Sequence, residues 1–144
     1  MDLKTMTGAE LLSAMAQGQL PAPSITQTMP MRLLEVAHGY VKFAAHADER
    51  HLNPLGGVHG GFAATVLDSA TACAVHAALE AGVGYGTVDL NIKMVRPIPR
   101  HTELYAEGRL LNLSKSIGIA EATLKDADGK LYAHATCTCS ILRG

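Results

Sequence analysis

Two glycines and one aspartate set the chemical possibilities of this chain. Residues 60–79 read GGFAATVLDSATACAVHAAL, an alanine-rich run without proline in which Asp68 is the only formal charge. Apolar residues fall on every side of a 3.6-residue wheel, which predicts a buried helix. An ionised carboxylate inside such a helix is costly unless it is paired or put to use, and Asp is a poor helix former. Asp68 is therefore expected to do chemistry, as a general base or as a nucleophile. Gly60 and Gly61, at the expected helix start, leave backbone N–H groups free to hold a developing negative charge. His59 stands just before them, where loop support is a more natural role than proton transfer.

The remaining reactive residues form no second constellation. Cys137-x-Cys139 is tighter than the usual zinc spacing, so no metal site is expected. With Cys73 these cysteines read as small buried hydrophobes in a reducing compartment. His38, His46, His51, His76, His101 and His134 lack ligand spacing.

Length and charge narrow the field further. The chain has 144 residues, 12 basic and 13 acidic side chains and no tryptophan. That is one domain with a sizeable core. Without a basic stretch, nucleic acid is not expected as a partner. The N-terminal sequence lacks a basic region followed by an apolar core, so the expected location is cytoplasmic. Asp68 at the centre of the apolar run would cost about 3 kcal/mol in a bilayer, which favours a buried helix over a membrane span.

These residues need elements to hold them. Thr7-Gly8-Ala9-Glu10 has the form of a capping box and opens a short amphipathic helix ended by Gly18 and Pro21. With a proline-containing connector it makes up residues 1–29. The core is expected over 30–142. Strands are predicted near 31–37 and 40–47, broken at His38-Gly39, and the turn-rich segment from His51 to Gly57 leads into the long helix, which stops near Gly82. Four strands follow. The first alternates, with Val88, Leu90, Ile92 and Met94 on the apolar face. Others cover 102–112, 116–125 and 130–142, the last two joined by the hairpin turn Asp126-Ala127-Asp128-Gly129. Strands segregated from a single apolar helix point to α+β, with a curved antiparallel sheet wrapping the helix.

The segment Asn53-Pro54-Leu55-Gly56-Gly57-Val58-His59-Gly60-Gly61 resembles the N-P-x-G-x-x-H-G-G signature of the hotdog-fold acyl-CoA thioesterases, in the branch related to the phenylacetate-pathway thioesterase. Asp68 stands where that family carries its catalytic acid. Thr87-Val88-Asp89-Leu90-Asn91 resembles the strand whose Ser or Thr helps to position water. The resemblance implies hydrolysis of an acyl-CoA thioester with neither metal nor organic cofactor, in homodimers joined sheet edge to edge and often paired into tetramers. It raises Asn53 and Thr87 to site residues. Some relatives place a second hydroxyl one turn after the acid. That position is Ala72 here, so water positioning falls to Thr87 or Asn53. Gly61 adds to the substrate-binding set. Coenzyme A carries phosphates that need cations, for which Arg96 and Lys115-Ser116 are the candidates.

Helix geometry alone asks for two chains. Asp68 lies eight residues beyond Gly60, about 12 Å along a helix axis. One helix cannot bring both to one carbonyl, whereas two antiparallel copies can. Two rival functions stay open: a hotdog hydratase or dehydratase pairing His59 with Asp68, and a non-catalytic acyl-CoA-binding domain.

Overall fold

Thr7 opens the first helix by accepting a hydrogen bond from the Glu10 N–H, and its hydroxyl meets the Glu10 carboxylate. Helix α1 then runs Gly8–Ala16 and buries Leu12 and Ala14. The connector contains one further short turn of helix, α2, Ile25–Thr28. The computed structural model describes residues 2–143; Met1 and Gly144, the ends of the expected single domain, lie outside them.

Six strands follow: β1 Met31–Ala37, β2 Tyr40–Ala45, β3 Gly84–Met94, β4 Leu104–Leu113, β5 Ile117–Lys125 and β6 Leu131–Leu142. Between β2 and β3 lies the long helix α3, Gly60–His76. The strands pair antiparallel in the order β1-β2-β4-β5-β6-β3. This is the α+β hotdog architecture, a sheet curved around one central helix. β1 and β3 form its two edges, and β3 pairs with β6 alone. Turn chemistry sets the hairpins. Gly39 and Gly129 take φ of 68° and 85°, which only glycine adopts freely. Asp126 Oδ1 accepts from the N–H groups of Asp128 and Lys130.

The core forms where α3 meets the concave face of the sheet. Phe62, Val66, Leu67 and Val75 are fully buried against Val41, Leu104, Leu124 and Cys139. Burying each large side chain contributes roughly 1.5–3 kcal/mol. Small residues on the strands let the helix sit close. A Cβ placed on Gly108 of β4 would lie 2.0 Å from the Ala70 carbonyl oxygen, so no side chain fits there.

Two expectations need correction. The helix is not sealed on all sides: Gly61, Ala64, Thr65, Asp68, Ser69, Cys73 and His76 form a half-buried stripe, with Asp68 and His76 reaching the edge strand β3. It ends at His76 rather than near Gly82, because residues 77–79 turn back on Cys73, Val75 and His76 carbonyls. Nor does β3 alternate as expected. Thr87 pairs with Cys139 and Asp89 with Thr138, which leaves Val88 as the extra residue of a bulge. Val88 is 67% exposed and Met94 55%, while Leu90 and Ile92 keep the inner face. Among the described residues no helix is long and apolar enough to cross a membrane.

Candidate active site

The bulge places the hydroxyl that meets the Asp68 carboxylate. By strict alternation Thr87 would share the outer face with Asp89. The extra residue between them reverses the parity, and Thr87 turns inward. Its Oγ1 donates to Asp68 Oδ1 at 3.0 Å. Asp68 itself is half-buried on the open stripe of α3. The neighbouring Thr71 is turned away, its hydroxyl on the Leu67 and Asp68 carbonyls, and Ala72 offers nothing polar.

The residues around this pair carry no site role in the sequence reading, where Cys137 and Cys139 are buried hydrophobes. Cys139 of β6 lies opposite Thr87, its Sγ 3.8 Å from Thr87 Oγ1, and Cys137 Sγ is 3.9 Å beyond. Tyr85, two residues before Thr87, stacks on His76 with ring centroids 4.8 Å apart. Burial above all, with the Asp68 charge nearby, pushes its phenol above the usual range. Period two from Thr87 points to Tyr85, so a signal existed; nothing local predicted that β6 would supply the thiol.

The helix start is built by its own cap. His59 is the N-cap, and its Nδ1 accepts from the Gly61 N–H at 2.7 Å. The lone pair is thereby used, which puts the proton of a neutral ring on Nε2. The Phe62 N–H reaches the His59 carbonyl. Among the described residues the Gly60 N–H has no acceptor. It opens on a cavity of about 290 Å³ lined by Val58, Gly60, Ala63, Met94, Arg96 and Tyr132. The Met94 thioether crosses the glycine closely: a Cβ on Gly60 would lie 2.8 Å from its sulfur.

The loop before the helix is tied down from both sides. Asn53 Oδ1 accepts from the N–H groups of Leu55 and Gly57, so it closes its own turn. His51 is buried; its Nδ1 accepts from the Asp48 N–H and its Nε2 meets the Thr28 carbonyl at 2.6 Å. Its ring packs on Phe62 at 5.2 Å. Arg50 grips Asp48, holding that carboxyl well below the usual range.

Within one chain the expected residues thus fall into three groups. Asp68 meets Thr87. Gly60, Gly61, His59 and Arg96 gather at the helix start, with Arg96 donating to the Leu131 carbonyl at 2.7 Å, and the Asn53 turn lies in the loop just before them. Lys115 and Ser116 lie at the opposite end. Arg143 Nε donates to the Lys115 carbonyl while its Nη1 pairs with Glu80 beyond the helix terminus, and the Ser116 carbonyl accepts from the Ile141 N–H. The two cation candidates do not meet within one protomer.

Comparison with known proteins matches this geometry to a family. The family model described as Thioesterase superfamily matches residues 55–133, from the loop before α3 into β6. The chain is 33% identical over 92 residues to acyl-coenzyme A thioesterase 13 of Mus musculus, covering 63% of this chain and 65% of that one. It is 37% identical over 71 residues to an esterase candidate of Halobacterium salinarum, covering 48% of this chain and 46% of that one. The chain therefore spans less than two thirds of the length of these curated relatives. A phenylacetic acid degradation-related protein of Ralstonia eutropha superposes with a TM-score of 0.81 at 33% identity, over 90% of this chain and 98% of that one. The matched residues take in α3, β3, β4, β5 and the start of β6, and the chain belongs to the Thioesterase superfamily.

Proposed function

We propose that this protein is an acyl-CoA thioesterase that works without a cofactor, in homodimers with shared sites. The observation that carries the reading is the Asp68–Thr87 pair, 3.0 Å apart on the open stripe of a buried helix, about 12 Å along the axis from a free N–H at Gly60. The mouse relative's name, acyl-coenzyme A thioesterase 13, supports the substrate class.

In this mechanism the thioester oxygen accepts a hydrogen bond from the Gly60 N–H, aided by the positive end of the α3 dipole. Asp68 of the partner chain acts on the carbonyl carbon by one of two routes. As a base, it takes a proton from water as the oxygen attacks. As a nucleophile, it forms a mixed anhydride that water then opens. In both, the C–S bond breaks, and coenzyme A leaves as the thiol. Thr87 keeps one carboxylate oxygen occupied and leaves the other free. Arg96 stands at the Gly60 end and Lys115-Ser116 at the far end. An antiparallel pair of protomers brings those two ends together around one coenzyme A, and two such dimers make a tetramer. A single turnover in labelled water separates the routes: label in Asp68 means nucleophile.

The use of His59 Nδ1 as a helix cap counts against the hydratase reading, which needs that ring for proton transfer. A free-thiol assay run beside an absorbance assay for enoyl product distinguishes the two, and binding without turnover would instead mark an acyl-CoA-binding domain. The shared site is tested by complementation. Asp68→Asn and Gly60→Val homodimers are each expected to be inactive. Mixed dimers carry one site with both lesions and one with neither, so about half the wild-type activity per heterodimer returns. Dead heterodimers of two folded variants would refute it.

A further inference from the structure

The stripe of α3 that carries Asp68 also forms the inner wall of a second cavity, on the side away from β3. This cavity has a volume of about 350 Å³, within the range of small-molecule pockets. Ser69, next to Asp68, and Cys73, one turn on, are its floor; Leu12 and Met15 of α1, Leu33 of β1 and Phe43 of β2 are among its walls. The polar groups at its rim are engaged elsewhere. Arg32 pairs with Glu103 at 2.7 Å, and the Thr26 hydroxyl donates to the Pro23 carbonyl. The Cys73 thiol is pushed up to about 12, first by burial and then by the Asp68 charge. The floor of the cavity is therefore within electrostatic reach of the carboxylate.

We propose that this cavity takes the acyl group of the substrate, and that the group is an apolar chain of medium length without polar substituents. The proposal rests on the thioesterase reading and assigns its acyl subsite. Beyond Ser69, the residue next to Asp68, the cavity is lined mainly by hydrocarbon, with the Met15 and Met31 thioethers and the Cys73 thiol. No free charge or amide inside would greet a hydroxyl or carboxylate on the chain. The outer wall comes from α1, the connector, β1 and β2, all of which precede the residues matched by the family model, 55–133. The outer wall of the acyl cavity and the reactive residues thus come from different stretches of sequence, while its floor lies on α3 itself.

Binding of two non-hydrolysable thioethers, S-octyl-CoA and S-ethyl-CoA, tests this by calorimetry. Each buried methylene is worth up to about fourfold in affinity, so the wild-type protein is expected to hold S-octyl-CoA at least tenfold tighter. Ala16 lines the cavity from the end of α1. Ala16→Trp is expected to collapse that preference to about twofold or less. Equal wild-type affinities overturn the proposal without any variant, and so does a folded A16W protein that keeps the full preference. Hydrolysis is scored separately, as thiol release from octanoyl-CoA and acetyl-CoA. Tight S-octyl-CoA binding with no thiol release sinks the hydrolase reading and leaves the cavity assignment standing. Thiol release at equal kcat/KM for both esters sinks the cavity and leaves the hydrolase.

Discussion

The two faces of α3 share one helix and obey different rules. The face toward the sheet carries Phe62, Ala63, Val66, Leu67, Ala70, Ala74 and Val75, all buried, and packs so closely that Gly108 has no room for a methyl group. The opposite stripe carries Asp68, Ser69 and Cys73, half-buried beside cavities. One face is fixed by volume and the other by charge and hydrogen bonding. Substitutions should therefore separate cleanly into those that unfold the protein and those that silence it.

The sharpest separation is expected at Asp68. Asp68→Asn keeps the shape and removes the charge, so thiol release should fall by about 10²–10⁴-fold, with thermal stability unchanged or raised. A variant with near-normal turnover would return Asp68 to a structural role and erase the contrast. Gly108→Ala is the converse. Its methyl group meets the Ala70 carbonyl, and unfolding in urea should show a loss of about 3 kcal/mol. The folded fraction should keep its turnover per molecule. A loss below about 0.5 kcal/mol would mean that the sheet face has slack.

Thr87 sits between the two faces, on the sheet but bonded to the stripe. Thr87→Val preserves packing and removes one hydrogen bond to a charged group, worth about 1.5–3 kcal/mol. Turnover should drop by about tenfold or more, and Thr87→Ser should recover most of it. Equal loss in both variants would point to the methyl group rather than the hydroxyl.

The smallest effect concerns pH. Burial lowers the His76 pKa below its ordinary value, so the folded state resists protonation. That contribution to stability is fully present above about pH 6.5, the unfolded value, and is lost as pH falls below it. Urea midpoints from pH 8 to 5 should decline less steeply in His76→Gln than in wild type. A steeper decline in the variant would contradict the sign.

Much of this was legible in the residues. The capping pattern at Thr7, the turn glycines and the strand periods placed nearly every element within a few positions. The signature before Gly60 and the lone charge at Asp68 single out those two residues, but not the half-buried stripe, because the run reads as apolar on every side. The bulge at Val88 was not legible, because Val is a favoured strand residue in either register. Thr87 consequently entered by resemblance, and its inward turn appears only in the pairing with Cys139. Lys115 and Ser116 were grouped with Arg96 by charge logic alone. Strand order, which sequence does not state, puts them at opposite ends of the molecule.

The position of β3 at the sheet edge also sets an order of assembly. β3 has a single partner, β6, which lies at the far end of the chain. On the ribosome, Asp68 and Thr87 emerge long before anything can hold them together. β1, β2 and β4 are all made before β6, so they can pair and receive α3 first. The Thr87 bulge acquires its register only when Cys139 and Thr138 arrive. Closing so distant a pair carries the entropy of a long loop. The Asp68–Thr87 pair therefore takes its fixed geometry only once β6 has docked on β3.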